Sequence, residues 1–498
     1  MITQNGGEMT TAPQGKSEGT VSEDQELRSF GYEPQLSRSM GLMSSLSMSI
    51  SCMCITAGIF TTFAYSLGMV GPAFVWTWLA VSVGQILVAL VLAELSGRMP
   101  ISGYAFQWTS RLVNSHYGWF VGWAGLMAFI PGFTGLNFGL SPFLLQRLGI
   151  EITATSTLVC VLIVTAIQLA INLAGVRVAS RVNNVVAFVA ELGLSIVLTV
   201  ILLIVAFITK PVQDLSFLTS STVTPNDFPV AILLSGLLAI WVLTGFEGAA
   251  DLAEETKMAK RAVPKAVVTS LIVSVVIGFF MIVALTMNIA NIQETTEAAV
   301  PIMHILNGAL GTGGAALFEV VALVALFAGG LANMAAASRL TFSLSRDNML
   351  PGSKALSKVS KTHSPSGALI LVTVISVVLV FIGTFVASQA LSLIIGMAAV
   401  GYYSVYGLTI LAVIMAAVGN RLPDKGSFSL GKFAMPVRWL ALIWSVFVVG
   451  ELVIPEANRQ TALMAFVFFV LGGIWYFAVL RRRILKGTSG TPKPITHD

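Results

Sequence analysis

Trp241-Val242-Leu243-Thr244-Gly245-Phe246-Glu247-Gly248-Ala249-Ala250-Asp251 ends an apolar stretch, 230 to 250, of the length that crosses a bilayer. A hydrocarbon core about 30 Å thick takes roughly 20 mainly apolar residues of helix. Here a threonine, two glycines and a carboxylate sit where such a helix should be most regular. A second run of this kind, Ile55-Thr56-Ala57-Gly58-Ile59-Phe60, lies in the stretch 42 to 66. Both runs place poor helix formers near the membrane midplane.

Outward from these two runs, the chain of 498 residues contains twelve apolar stretches, approximately 42 to 66, 72 to 95, 118 to 141, 154 to 174, 185 to 208, 230 to 250, 265 to 290, 315 to 338, 367 to 387, 390 to 418, 436 to 455 and 461 to 480. Hydrophobic residues make up 56% and charged residues only 10%, with a mean hydropathy of +0.86. Soluble domains carry about 25% charge, so the solvent of this chain is mostly lipid. Long continuous apolar runs mark helices; barrel strands would alternate over about ten residues. The fold class expected is an all-α integral membrane protein of twelve transmembrane helices.

Lysine and arginine gather in cytoplasmic loops. Taken over alternate loops, only Arg147, Lys210 and Arg459 of the 28 basic residues fall on one side. That asymmetry predicts both termini to be cytoplasmic and explains a pI of about 9.1 with no nucleic acid as partner. Residues 1 to 40, polar and without a signal peptide's pattern, read as a disordered cytoplasmic arm; 481 to 498 form a cytoplasmic tail.

The two interrupted stretches are the first and the sixth, five apart. Transporters built from inverted repeats carry broken helices at corresponding positions, and the freed backbone groups bind substrate at the midplane. Five is odd, so the second repeat enters from the opposite side. This predicts a 5+5 inverted repeat, 41–208 and 230–418, joined by an extracellular loop at 209–229, with two extra helices at 419–480. The plainer alternative is that Gly58, Gly245 and Gly248 only allow helices to pack closely.

A carboxylate inside a bilayer costs roughly 2.5 to 3.5 kcal/mol at a helix centre and needs a reason. Glu247 follows the sixth-stretch break, and Glu191 lies between Ala190 and Leu192 in the fifth stretch. Each can accept protons, balance a cationic substrate or tie helices together. Glu319 and Glu451 lie nearer helix ends and read as structural. Trp241, Phe60 and Phe246 flank the breaks and could cover a substrate, Trp241 offering a cation–π face. Asn333, in the small-residue run 328 to 335, should face protein or a cavity. Cys52, Cys54 and Cys160 have no ligand-like spacing, and no metal or other cofactor is implied. His116, His304, His363 and His497 fall at helix ends, in loops or in the tail, so no enzyme site is expected.

Several of these runs resemble the amino acid–polyamine–organocation (APC) permease superfamily over nearly the whole chain. Thr56-Ala57-Gly58-Ile59-Phe60 is similar to its Gly-Ser-Gly-Ile/Val-Phe segment. Ala93-Glu94-Leu95 through Pro100, Gly103 and Trp108, the run Trp241 to Glu247 with Glu254-Glu255 and Pro264, and Arg346-Asp347-Asn348-Met349-Leu350-Pro351 are also family-like. The Tyr32 and Arg38 region, with Glu191, looks most like the amino acid/choline transporter branch. The resemblance implies a plasma-membrane permease that imports a small amine or amino acid (γ-aminobutyrate, choline, a polyamine, ethanolamine or another amino acid), and the expected mode is proton symport with alternating access.

It also implies that a substrate carboxyl meets amides at Thr56, Ala57 and Gly58, that its amine meets carbonyls near Leu243 and Thr244, and that Trp241 gates the site. Ile59, Phe60, Gly245, Phe246 and Asn333 complete the expected substrate site, with Glu191 and Glu247 for proton coupling or substrate charge. The chain departs from the pattern at Thr56 and Ala57, at Tyr104 in place of Gly, at Met258-Ala259 in place of Asn-Pro, and at Glu191, where some proton-coupled relatives carry Lys. An exchanger of the same fold and a transport-incompetent sensor or partner subunit remain open readings, and nothing in the sequence speaks to oligomeric state.

Overall fold

The computed structural model describes residues 23–298, 300–386 and 390–492; the arm expected over 1 to 40 lies outside these up to residue 22, and so does the end of the C-terminal tail. Within the described part of the arm, Glu23–Ser29 is helical, followed by an Arg28 Nε to Glu33 Oε2 pair at 3.1 Å, so this portion is not without structure.

Among the described residues the architecture is all-helical, and eleven helices are long and apolar enough to cross a membrane. They are Leu42–Val70, Pro72–Arg98, Ser115–Arg147, Ala154–Leu173, Glu191–Thr209, Ala259–Met287, Pro301–Arg346, Ser366–Phe385, Leu391–Val418, Gly431–Val453 and Glu456–Leu485. The sixth stretch of the sequence is the exception. Its apolar helix, Phe228–Val242, stops short, and only the four residues Gly248–Asp251 return to helix after it.

Burial separates an inner from an outer set. The most apolar window of Leu42–Val70 is 89% buried, as is that of Ser115–Arg147, against 22% in Gly431–Val453 and in Glu456–Leu485. Ile443, Val446, Phe466 and Ile474 on the last two helices are exposed, which suits a lipid-facing surface. The interrupted first helix is therefore at the centre of the bundle, where protein can satisfy broken backbone that lipid cannot.

One end of the bundle is fastened by buried ion pairs. Arg339 Nε meets Glu255 Oε1 at 2.8 Å with both side chains almost wholly enclosed, and Arg346 meets Glu254 at 3.1 Å. Glu94 holds Arg438 at 2.7 Å and Arg98 at 3.0 Å. The chain before the first helix is tied to this end too, since Met40 N donates to Glu255 O at 3.0 Å and Lys257 N to Met40 O at 2.8 Å. Breaking one partner of a buried pair leaves an uncompensated charge and costs about 3–5 kcal/mol. Arg339→Met should accordingly lower the unfolding temperature of the purified protein markedly, and Glu255→Gln in the same chain should recover much of the loss, a coupling that a double-mutant cycle reads directly.

Candidate substrate site at the helix breaks

The first helix breaks at Cys54, two residues before the position expected from Thr56 to Gly58. Leu42–Met53 ends there with Cys54 in the left-handed region (φ 50°, ψ 62°), and Ile55–Val70 begins directly after it. Cys54 N still donates to Ile50 O at 2.9 Å, and Gly58 N to Cys54 O at 2.8 Å. Thr56, Ala57, Gly58, Ile59 and Phe60 thus form the opening turns of the second half-helix. Threonine and glycine suggested non-helical backbone, but the first-turn amides of any helix lack intrahelical partners, so Thr56 and Ala57 can be helical and still present donors, whereas the Gly58 amide is already spent on Cys54 O.

The sixth helix breaks where the sequence places it. Leu237–Val242 ends at Leu243, and helix resumes with Gly248–Asp251. Gly245 between them has φ +90°, a conformation that glycine adopts without a Cβ penalty.

Side chains from neighbouring helices, and Thr244 of the break itself, satisfy the opened backbone. Gln85 Nε2 donates to Leu243 O at 2.7 Å, Ser49 Oγ to Phe246 O at 2.8 Å, and Thr244 Oγ1 to Trp241 O at 2.7 Å. Ala249 N returns a bond to Ser49 Oγ at 3.1 Å. At the first break, Asn333 Nδ2 donates to Cys52 O at 2.9 Å, and Tyr402 OH donates to Asn333 Oδ1 at 3.0 Å.

The two breaks touch. A Cβ on Gly245 would lie 2.8 Å from Cys52 O, one on Gly248 2.6 Å from Cys52 Sγ, and one on Gly58 2.7 Å from Val242 Cγ2. Gly58 and Gly248, both helical, therefore serve close packing, while Gly245 also serves the turn itself. Gly58→Leu should force the half-helices apart at a cost of about 1–3 kcal/mol, and substrate binding by the purified variant should be lost even where the protein still folds.

Glu191 is the residue that the first break gathers round. It lies in a π-helical segment, Ala187–Leu194, and is 1% exposed. Its Oε2 accepts from Thr56 N at 3.2 Å and from Thr56 Oγ1 at 2.9 Å, while its Oε1 accepts from Cys54 Sγ at 3.4 Å. Ser195 Oγ lies 2.7 Å from Thr56 Oγ1, and Cys54 Sγ also reaches Ala325 O at 3.1 Å. A carboxylate at a helix N-terminus is favoured by the free amides and the helix dipole. The protein's own acid so occupies the Thr56 amide, one of the three at which the sequence resemblance places a substrate carboxyl.

Glu247 is held elsewhere, by Tyr406 OH at 2.9 and 3.0 Å to its two oxygens, and Phe246 stacks on the Tyr406 ring at 5.5 Å. Trp241, Asn333 and Tyr402 come together beside Gly132, each within 3.6 to 3.8 Å of the position a Cβ would take there. Phe60 stands apart from that group, against Phe143 at 5.9 Å, and Ile59 is fully buried core. Ser49, Gln85 and Tyr406 are not among the residues expected from the sequence, and Cys54 is expected only as a cysteine without ligand-like spacing. The available signals were a Ser at nearly every second position from 45 to 51 and three tyrosines, Tyr402, Tyr403 and Tyr406, within one apolar stretch.

Along the half-helices Ile55–Val70 and Leu237–Val242, away from the breaks, lies a cavity of about 290 Å³ bordered by Tyr65, Met69, Leu237, Gly396 and Thr461.

A bundle of apolar helices, two of them broken against each other at a buried polar centre, has the construction of a membrane permease. Residues 40–492 match the family model for amino acid permeases, and the chain belongs to that family. It is similar to an amino-acid permease of Schizosaccharomyces pombe, 26% identical over 93% of this chain and 87% of the relative. The BAT1 homologue of Oryza sativa subsp. japonica is 26% identical over 95% of each chain, and the BAT1 amino-acid permease of Arabidopsis thaliana is 26% identical over 88% and 89%. The family is one of transporters and not of enzymes.

Proposed function

We propose that this protein imports a small amine or amino acid across the plasma membrane by proton symport, alternating access around the site where Cys54 and Thr244 to Glu247 meet. The observation that carries the reading is the contact between the two breaks, with Glu191 seated on the Thr56 amide and hydroxyl. Packing alone accounts for Gly58 and Gly248; it does not account for a buried acid set against the new helix N-terminus.

On this reading the short helix Phe228–Val242 and Gly248–Asp251 are the two halves of a twelfth span, and the spans form a 5+5 inverted repeat with two further helices. Both termini face the cytoplasm, following the basic loops. The cavity by Tyr65 and Leu237 then lies on the extracellular half of the broken helices and serves as the approach to the site. The names of the relatives support an amino acid as cargo; the chain's own chemistry favours one bearing a positive group. An incoming carboxylate must compete with Glu191 for the Thr56 donors, whereas an ammonium gains from the same acid and from the Trp241 face.

A thermal-shift screen of the purified protein against γ-aminobutyrate, choline, ethanolamine, polyamines and the ordinary amino acids tests this. A ligand that binds only the folded state at a hundred times its Kd adds about 2.7 kcal/mol. A rise in unfolding temperature with at least one amine or amino acid is expected, and a flat response across the set would count against the site.

A further inference from the structure

A third buried acid lies beside the sixth-helix break, apart from Glu191 and Glu247. Asp251 closes the short helix Gly248–Asp251, one turn beyond Glu247, and is fully buried. Neither of its carboxylate oxygens has a hydrogen-bond partner among the described residues. Tyr104, also fully buried, has a hydroxyl without a partner and lies within electrostatic reach of both Asp251 and Glu247. We propose that Asp251 is a proton-binding site, separate from Glu191 and Glu247, that carries the coupling proton towards the end of the bundle closed by Arg339 and Glu255.

The groups within electrostatic reach of Asp251 are Glu247 on its own segment, Cys52 on Leu42–Met53, Tyr104 on Tyr104–Leu112, Arg339 on Pro301–Arg346 and Tyr402 on Ala390–Val418; the helix Ala259–Met287 also packs on this segment, and its cations Lys260, Arg261 and Lys265 are exposed. Arg339 is the one cation among them, and it is already engaged by Glu255 at 2.8 Å. Glu247, Asp251 and Glu255 follow at intervals of four residues. Asp251 thus shares its one nearby guanidinium with Glu255, while Glu247 is held by the Tyr406 hydroxyl and Glu254 is balanced separately by Arg346. An ionised carboxylate without hydrogen bonds or a cation of its own is not sustained in such an enclosure, and a proton removes the excess charge with the smallest change in volume. A metal ion would need several oxygen ligands at once; the two oxygens of Asp251 and one tyrosyl hydroxyl are too few.

The site gives the proton a place in the cycle. A proton from the outer side binds Glu247 first; the Glu247 O–H bond then breaks as an O–H bond forms at Asp251, and the Tyr406 hydroxyl hydrogen-bonds the Glu247 carboxylate left behind. When the inner end opens, the Asp251 O–H bond breaks, the proton passes to cytoplasmic water, and the guanidinium of Arg339 balances the Asp251 carboxylate.

The inference rests on the transport reading, and two measurements separate their fates. Infrared spectra of the wild-type protein in detergent, with and without carboxyl-¹³C aspartate, report the proton without any substrate. A protonated-acid carbonyl band that moves with the aspartate label is expected, and Asp251→Asn should remove it. A band that is absent, or that ignores the label, overturns the site, and this readout does not depend on the variant folding.

In proteoliposomes, labelled γ-aminobutyrate, choline, putrescine and leucine are offered under an imposed pH gradient and, separately, in exchange for internal substrate. Asp251→Asn should keep exchange and lose gradient-driven accumulation, and Asp251→Glu should restore it. Undiminished accumulation by Asp251→Asn overturns the coupling role while leaving transport intact. If the wild type moves none of the four, the transport reading falls and the infrared band alone decides whether Asp251 holds a proton.

Discussion

Gly245→Val is expected to abolish transport and to destabilise the protein more than any other single change at the breaks. Gly245 holds φ +90°, a region that costs an ordinary L-residue roughly 1–2 kcal/mol and a β-branched one more. The new Cβ would also stand 2.8 Å from Cys52 O and 3.2 Å from Met53 N, and these are backbone atoms of the other break, with no side-chain rotamer to give way. Relief requires the two breaks to separate, which adds overpacking of about 1–3 kcal/mol and pulls Phe246 O from Ser49 Oγ. Thermal unfolding should show the loss of stability and ligand shifts should vanish. Gly248→Ala is the milder comparison, because its helical backbone accepts alanine and its near neighbour is the thiol of Cys52 at 2.6 Å. Equal effects from the two would show that the left-handed turn is not what matters.

The second large effect belongs to Glu191→Gln. A glutamine oxygen can still accept from Thr56 N and Thr56 Oγ1, with its amide turned to the Cys54 sulfur, so the ties to Thr56 are kept while the charge goes. Hydrogen bonds to a charged group contribute about 1.5–3 kcal/mol against about 0.5–1.5 kcal/mol for neutral ones. If the acid meets a cationic group of the substrate, uptake should fall about ten- to a hundredfold, with its pH dependence flattened and unfolding shifted only slightly. Unchanged uptake and pH dependence would reduce Glu191 to a helix tie.

Composition and the length of the apolar runs were enough to read an all-helical membrane chain, because lipid imposes so strong a demand on backbone and length. The sixth break was also legible: Thr244-Gly245 and Gly248 flank a turn that needs a left-handed residue. The first break was legible in its stretch but not at its residue. Cys54 has no propensity that marks it, and what makes the break tolerable is a carboxyl 137 positions away, with Glu191 reaching Thr56 and Cys54 only after the helices assemble. For the same reason Gly58 misled: it is needed for close approach to Val242, and its backbone is helical. Asn333 was noticed as a polar residue in an apolar run, yet its partners Cys52 O and Tyr402 could be found only in three dimensions. Asp251 carries no mark in the sequence, because an acid without partners is a property of the packing.

The central claim is that the touching breaks form a substrate site driven by protons. Purified protein in proteoliposomes, given labelled amines and amino acids under an inward pH gradient, tests it most directly. At least one of them should accumulate above the outside concentration, an accumulation abolished when the gradient is collapsed and absent in Gly245→Val. Uptake that requires internal substrate and ignores the gradient would make the protein an exchanger, and no movement of any amine or amino acid would contradict the account.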